Sequence, residues 1–184
     1  MLPALILIII ILLFTSKTLS PIPYFPSQKS DLPQIIEALD LKDNQTMLDL
    51  GAGDGLVVFE AAKSSYDRRL NTRYVAVEIN IILVLIMIFK RIFHPNRKNI
   101  IIVYGDIFKP EFIKNIKKNN SITVYLYISP WYLNKVIKNL KTKMNQFKIV
   151  SYMYPLQNQS PDIKLKGKNT VYIYRNFSPT NFHP

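Results

Sequence analysis

A chain of 184 residues is long enough for one domain with a substantial core and a short appendage, and the lack of cysteine excludes disulfide frameworks and thiolate metal sites. Its 24 Lys and Arg against 12 Asp and Glu leave a formal charge of +12, which suits an acidic partner such as nucleic acid or an anionic membrane surface. The lysines are scattered over 90–168 in an Ile-, Asn- and Tyr-rich background of the kind an A/T-rich genome produces, so nucleic acid is not the leading partner.

Residues 4–14 form an unbroken apolar run, A-L-I-L-I-I-I-I-L-L-F. It is shorter than the about 17–25 residues of a spanning helix. It also lacks the basic start and the small-x-small site of a secretory signal. Lys17 and Lys29 follow the run and nothing basic precedes it, so residues 1–19 read as an N-terminal apolar helix that anchors the chain in a membrane, with the body on the cytoplasmic side. Residues 20–33, with Pro21, Pro23, Pro26 and Pro33, read as a linker or lid. Asp31 is placed to cap a helix that runs to about Leu39. Over 34–178 strands and helices then alternate. Strands are expected at 46–50, 73–79, 99–104, 122–128 and 147–154, and helices at 56–65, 82–93, 110–117 and 132–143. The strands lack polar alternation, as expected where both faces are covered. The pattern predicts an α/β, doubly wound, mostly parallel sheet. Residues 155–168 are polar, and 170–174 (T-V-Y-I-Y) read as a last strand. The two histidines, His94 and His183, are far apart and beside prolines, and no metal site is expected from them.

The strongest local signal is Asp49-Leu50-Gly51-Ala52-Gly53-Asp54-Gly55, a strand that turns sharply into a helix over a backbone bare enough for a ligand to lie against. The spacing is not G-x-G-x-x-G, and no Lys-Ser/Thr pair follows as a P-loop requires. It resembles motif I of the class I S-adenosylmethionine-dependent methyltransferases. In an open parallel sheet, ligands bind beyond the carboxyl ends of the strands, and four of the 12 acids fall there: Asp49, Asp54, Glu78 and Asp106. Glu37, Asp67 and Glu111 are expected on helix surfaces. Asp49 sits where an acid holds the methionine amino group, while Gly51 and Gly53 admit the ligand to the backbone. Glu78 ends the second strand about twenty residues beyond the glycines, where a carboxylate accepts ribose hydroxyls. Asp106 is placed to accept from the adenine amino group, with Ile107 against the ring. At the end of the fourth strand, Ser129-Pro130-Trp131-Tyr132 offers aromatic faces to an amine. This loop is similar to the Asn/Asp-Pro-Pro-aromatic motif of amino methyltransferases acting on nucleobases, with Ser and Trp substituted.

Taken in order, Pro21-Ile22-Pro23-Tyr24-Phe25-Pro26-Ser27, the glycine motif, Ala61-Ala62, Val77-Glu78-Ile79-Asn80, Gly105-Asp106 and Ile149-Val150-Ser151 resemble the membrane-anchored lysine methyltransferases that act on ATP synthase c-subunit and adenine nucleotide translocase. The resemblance implies S-adenosyl-L-methionine as cofactor and a Rossmann-like sheet ending in an antiparallel hairpin, here shortened. It implies N-methylation of a lysine in a protein partner, a membrane-associated one given the anchor, and a Tyr24–Ser27 segment folded over the cofactor with Tyr24 and Pro26 in contact. Ser129, Trp131 and Tyr132 then become the catalytic candidates that hold the amine. Leu56 stands where that family usually has Arg. The rival expectations are a nucleic-acid or small-molecule methyltransferase and a non-catalytic, cofactor-binding adaptor.

Overall fold

The computed structural model describes residues 24–116 and 121–177. The expected anchor at 1–19 and the start of the proline-rich segment lie outside them. Five strands follow the predicted order: β1 (Gln45–Leu50), β2 (Arg73–Glu78), β3 (Ile100–Tyr104), β4 (Ser121–Leu126) and β5 (Phe147–Tyr152). The helices are α1 (Leu32–Leu39), α2 (Leu56–Asp67), α3 (Ile81–Ile92) and α4 (Pro130–Lys141). The expected helix at 110–117 is a 3-10 turn, Pro110–Asn115. Strands expected to run to 128 and 154 stop at Leu126 and Tyr152, where Pro130 and the positive φ of Met153 turn the chain.

The strands lie in the order β3-β2-β1-β4-β5-β7-β6. The first five are parallel; β7 (Thr170–Phe177) runs antiparallel to β5 and to β6 (Ile163–Lys166). Strand β6 escapes sequence reading because I-K-L-K is only four residues long and is the outer edge strand, where alternating lysines face solvent and blunt further pairing. The expected shortened hairpin is therefore a regular β6–β7 pair.

The sheet divides the interior in two. Ile35, Leu39, Val58, Ala62 and Met87 bring α1, α2 and α3 into one core cluster. Leu133, Val136, Ile137 and Leu140 of α4 pack with Leu48, Leu50 and Val77 in the other. Alternation within the central strands feeds both: Val124 and Leu126 face the α4 layer, while Tyr125 faces the other.

Helix α1 starts after Asp31, but the Asp31 side chain makes no cap bond to that helix. It is fully buried and reaches the hairpin instead. It accepts from the Tyr152 hydroxyl at 2.7 Å, the Lys168 and Asn169 amides at 2.6 and 2.9 Å, and the Asn169 side chain at 3.1 Å. Burial alone would raise the Asp31 carboxyl, but these bonds outweigh it and hold it below the usual carboxylate range. Asp31 thus fastens the entry of the chain to its last hairpin.

Candidate functional site

Between β1 and β4 the strand order reverses, and the crevice beyond their carboxyl ends is where an open α/β sheet takes ligands. The glycine loop leaves β1 at this point. Gly51, Gly53 and Gly55 have φ of 83°, 60° and 80°, so the turn uses left-handed backbone that side chains resist. The amides of Gly51 and Ala52 both donate to the Val77 carbonyl, at 2.9 and 3.0 Å, folding the loop over the end of β2. The Gly53 amide donates to Glu78 Oε2 at 2.8 Å. The other Glu78 oxygen accepts from the Ile79 and Asn80 amides at 2.9 and 2.8 Å. Burial pushes the Glu78 carboxyl up and these three donors pull it down; the balance stays above the ordinary value.

Asp49 lies beneath this loop, 3% exposed, paired in register with Ala76 of β2 and Tyr125 of β4. Its carboxyl is pushed up from 3.8 to about 8, by burial first and then by the like charges of Glu78 and Asp54, with no hydrogen bond among the described residues to offset them. A buried carboxyl with two acidic neighbours and no donor is a seat for a cation, because only a positive group would offset its burial cost.

The segment Tyr24 to Ser27 closes the space above. The Tyr24 ring rests on Gly53 so closely that a β-carbon there would stand 2.5 Å from Tyr24 Cε2. Its hydroxyl bonds the Asp54 carboxylate; burial, then the charges of Asp54 and Glu78, raise it well above the ordinary tyrosine value. Ser27 Oγ and the Tyr125 hydroxyl share a hydrogen bond of 2.9 Å. Asp54 is held from the other side by Lys90 of α3, at 2.6 Å. The cavity left among Tyr24, Pro26, Asp49, Gly53, Tyr125 and Tyr127 measures about 20 Å³, room for roughly one water.

Of the residues expected at the site, Tyr24, Pro26, Asp49, Gly51, Gly53 and Asp54 line this one pocket, and Glu78 joins it through the Gly53 amide. Asp106 lies two residues past the end of β3, and its carboxylate is engaged in its own turn, accepting from the Phe108 amide at 2.8 Å. Ile107 is buried with the α4 layer. Ser129 precedes α4 without a side-chain cap bond. Trp131 is 78% exposed, whereas Tyr132 packs edge-on to Phe108 at 5.4 Å. These five do not line the Asp49 pocket. Glu37, Asp67 and Glu111 are exposed on the surface, as expected.

Sequence reading included Ser27 in the segment expected over the cofactor and missed Lys90, Tyr125 and Tyr127. The signal for the tyrosines was present: in V-Y-L-Y at 124–127 the period of two puts both on one face. Tyr127 also packs on Tyr152 at 4.9 Å, stacks near-parallel with Tyr154 at 6.5 Å, and donates to Met153 Sδ at 3.4 Å. No counterpart signal exists for Lys90, which meets Asp54 from 36 residues away.

No protein-family model and no curated protein matches the sequence. The folded chain is similar to solved structures. One is an RNA methyltransferase from Salinibacter ruber in complex with S-adenosyl-L-homocysteine, at 22% identity and TM-score 0.70, covering 87% of this chain and 100% of that one. A precorrin-6y C5,15-methyltransferase from Geobacter metallireducens matches at 18% identity and TM-score 0.55, over 82% and 91% of the two chains. A precorrin 8w decarboxylase from Methanobacterium thermoautotrophicum matches at 17% identity and TM-score 0.56, over 83% and 91%. None of these three is described as a lysine methyltransferase. The likeness at these identities establishes the fold.

Proposed function

We propose that this chain, which has the fold of the class I S-adenosylmethionine-dependent methyltransferases, binds S-adenosylmethionine in the Asp49 pocket and methylates a lysine of a membrane-associated protein. The observation that carries the cofactor reading is Asp49 itself: a buried carboxyl without a donor, under glycines whose missing β-carbons leave the backbone open to a ligand. That donor set fits an α-ammonium group. Glu78 and Asp106 are the acids left for the ribose and the adenine, with Ile107 behind the ring. Glu78 already accepts from three backbone amides, and Oε2, bonded only by the Gly53 amide at 2.8 Å, keeps an acceptor site for a ribose hydroxyl.

The cofactor supplies a methyl group already activated on a sulfonium, so the protein needs mainly to position a neutral amine and exclude water. The Tyr24–Ser27 strap serves the second need, since its present closure leaves space for about one water. Tyr127, in the pocket wall and stacked with Tyr154, offers an aromatic face to the amine, and Ser129, Trp131 and Tyr132 in the segment after β4 are the further candidates for holding it. The lysine reading is supported by the ordered motif resemblance. The apolar residues 4–14 would hold the body at the membrane on its cytoplasmic side.

A second reading, methylation of RNA, is favoured by the charge of +12 and by the likeness to the Salinibacter enzyme. One experiment separates them. Calorimetric titration with S-adenosylmethionine and S-adenosylhomocysteine should give micromolar binding of both, and radiolabelled methyl should then appear in membrane-protein lysines. Label in RNA would transfer the acceptor to the second reading. Absence of binding by folded protein would remove both.

A further inference from the structure

Helix α3 buries one side and leaves an apolar face uncovered. Leu83, Val84 and Met87 are buried, and the helix packs on β2 and β3. On the opposite side Ile81, Leu85, Ile88 and Ile92 recur at helical spacing as a single column. Phe89 and Phe93 stand beside it, edge to face at 5.3 Å. Leu85 is 57% exposed, Phe89 64%, Ile92 54% and Phe93 73%. A surface helix normally turns charged and polar residues to this side, and a contiguous exposed apolar patch marks an interaction site.

Charge selects the occupant. Lys90 is held by Asp54, but among the described residues no carboxylate pairs with Arg91, Arg97 or Lys98 at the end of the helix and in the turn after it. A second copy of this chain would bring those cations and a net charge of +12 against their like. A polynucleotide would meet the cations but has no hydrocarbon for a column of isoleucine and leucine. An anionic bilayer has both headgroup charge and acyl chains. Among the described residues no helix is long and apolar enough to cross a membrane, and α3 has 12 residues, so it would lie in the plane of the interface. The apolar run at 4–14 is a second membrane-directed signal in the same chain, and lasting attachment takes two.

We propose that the exposed face of α3 docks on an anionic lipid bilayer, its apolar column entering the headgroup–acyl boundary while Arg91, Arg97 and Lys98 meet the headgroups. The inference does not rest on the methyltransferase reading.

The chain has no cysteine, so Leu85→Cys in the full chain takes a single environment-sensitive fluorophore. With phosphatidylcholine vesicles containing phosphatidylglycerol, the label should brighten, shift to the blue and be quenched by lipids brominated on the upper acyl chain. Vesicles of phosphatidylcholine alone should give a weaker response. The same label at Lys138→Cys, exposed on α4 across the sheet, should not respond. The double variant Leu85→Glu with Phe89→Glu, at exposed positions that leave the circular dichroism unchanged, should lower vesicle partitioning about tenfold. Vesicle-bound protein whose Leu85 label still reports water would overturn the proposal, since attachment would then run through another segment alone. Failure to bind vesicles would overturn it too. So would a blue shift without lipid that grows with protein concentration, which would assign the face to self-association.

Discussion

Asp49 makes the sharpest demand at the level of single residues. Its carboxyl ionises near 3.8 in an unfolded chain and near 8 in the folded one. Between those values the folded state binds the extra proton, so stability falls as pH rises through this window. Asp49→Asn removes that loss. The variant should exceed the parent by about 1–3 kcal/mol in urea unfolding at pH 8, and the gap should close towards pH 4. The same substitution should weaken S-adenosylmethionine by about 1–3 kcal/mol. Because an ammonium ligand must displace the proton from Asp49, parental affinity should rise from pH 6 to pH 8 while that of the variant stays flat. Equal slopes would mean that Asp49 does not touch the ligand's amine. Gly53 tests the close approach. A methyl group there meets the Tyr24 ring at 2.5 Å on a backbone of φ 60°, so Gly53→Ala should cost about 1–2 kcal/mol of thermal stability and weaken cofactor binding as well.

Among the elements, the terminal hairpin depends on a residue 121 positions before its nearest bonded tyrosine. Asp31 is held ionised by Tyr152, Lys168 and Asn169, and its depressed value means that its contribution is present above the usual carboxylate range and is lost as pH falls through it. Asp31→Asn leaves buried donors facing a poorer acceptor and should cost about 2 kcal/mol at neutral pH, with less difference near pH 3. Amide exchange should accelerate first across Ile163–Lys166 and Thr170–Phe177. Uniform acceleration across all strands would show that Asp31 supports the whole sheet rather than the hairpin.

For the whole molecule, ligand entry and charge give the measurable responses. The half-buried Tyr24 ring rests on the glycine loop in the wall of this pocket. S-adenosylhomocysteine at about 100 times its dissociation constant should still stabilise the fold by about 2.7 kcal/mol, read as a concentration-dependent rise in melting temperature. The charge of +12 should give RNA binding at low salt. If that binding is non-specific it should weaken steeply between about 50 and 200 mM salt, whereas a specific RNA acceptor would retain a sequence-dependent remainder.

The sequence by itself determined the order of the five parallel strands and of the four α-helices among them, because unbroken apolar runs separated by amphipathic stretches admit few arrangements other than a parallel, helix-covered sheet. It also located the glycine loop and the acids Asp49, Asp54 and Glu78, since backbone conformation at glycine and position at a strand end are local properties. Tertiary structure alone decided what those acids meet. Asp49 lies buried between β2 and β4 with no donor among the described residues, and Glu78 braces Gly53 because the loop folds back over β2. Lys90 reaches Asp54, Asp31 leaves its helix for the hairpin, and Tyr24 fills the pocket through contacts between distant segments. The apolar character of α3 was legible in its composition, but which half of it faces water depends on how the helix lies on the sheet.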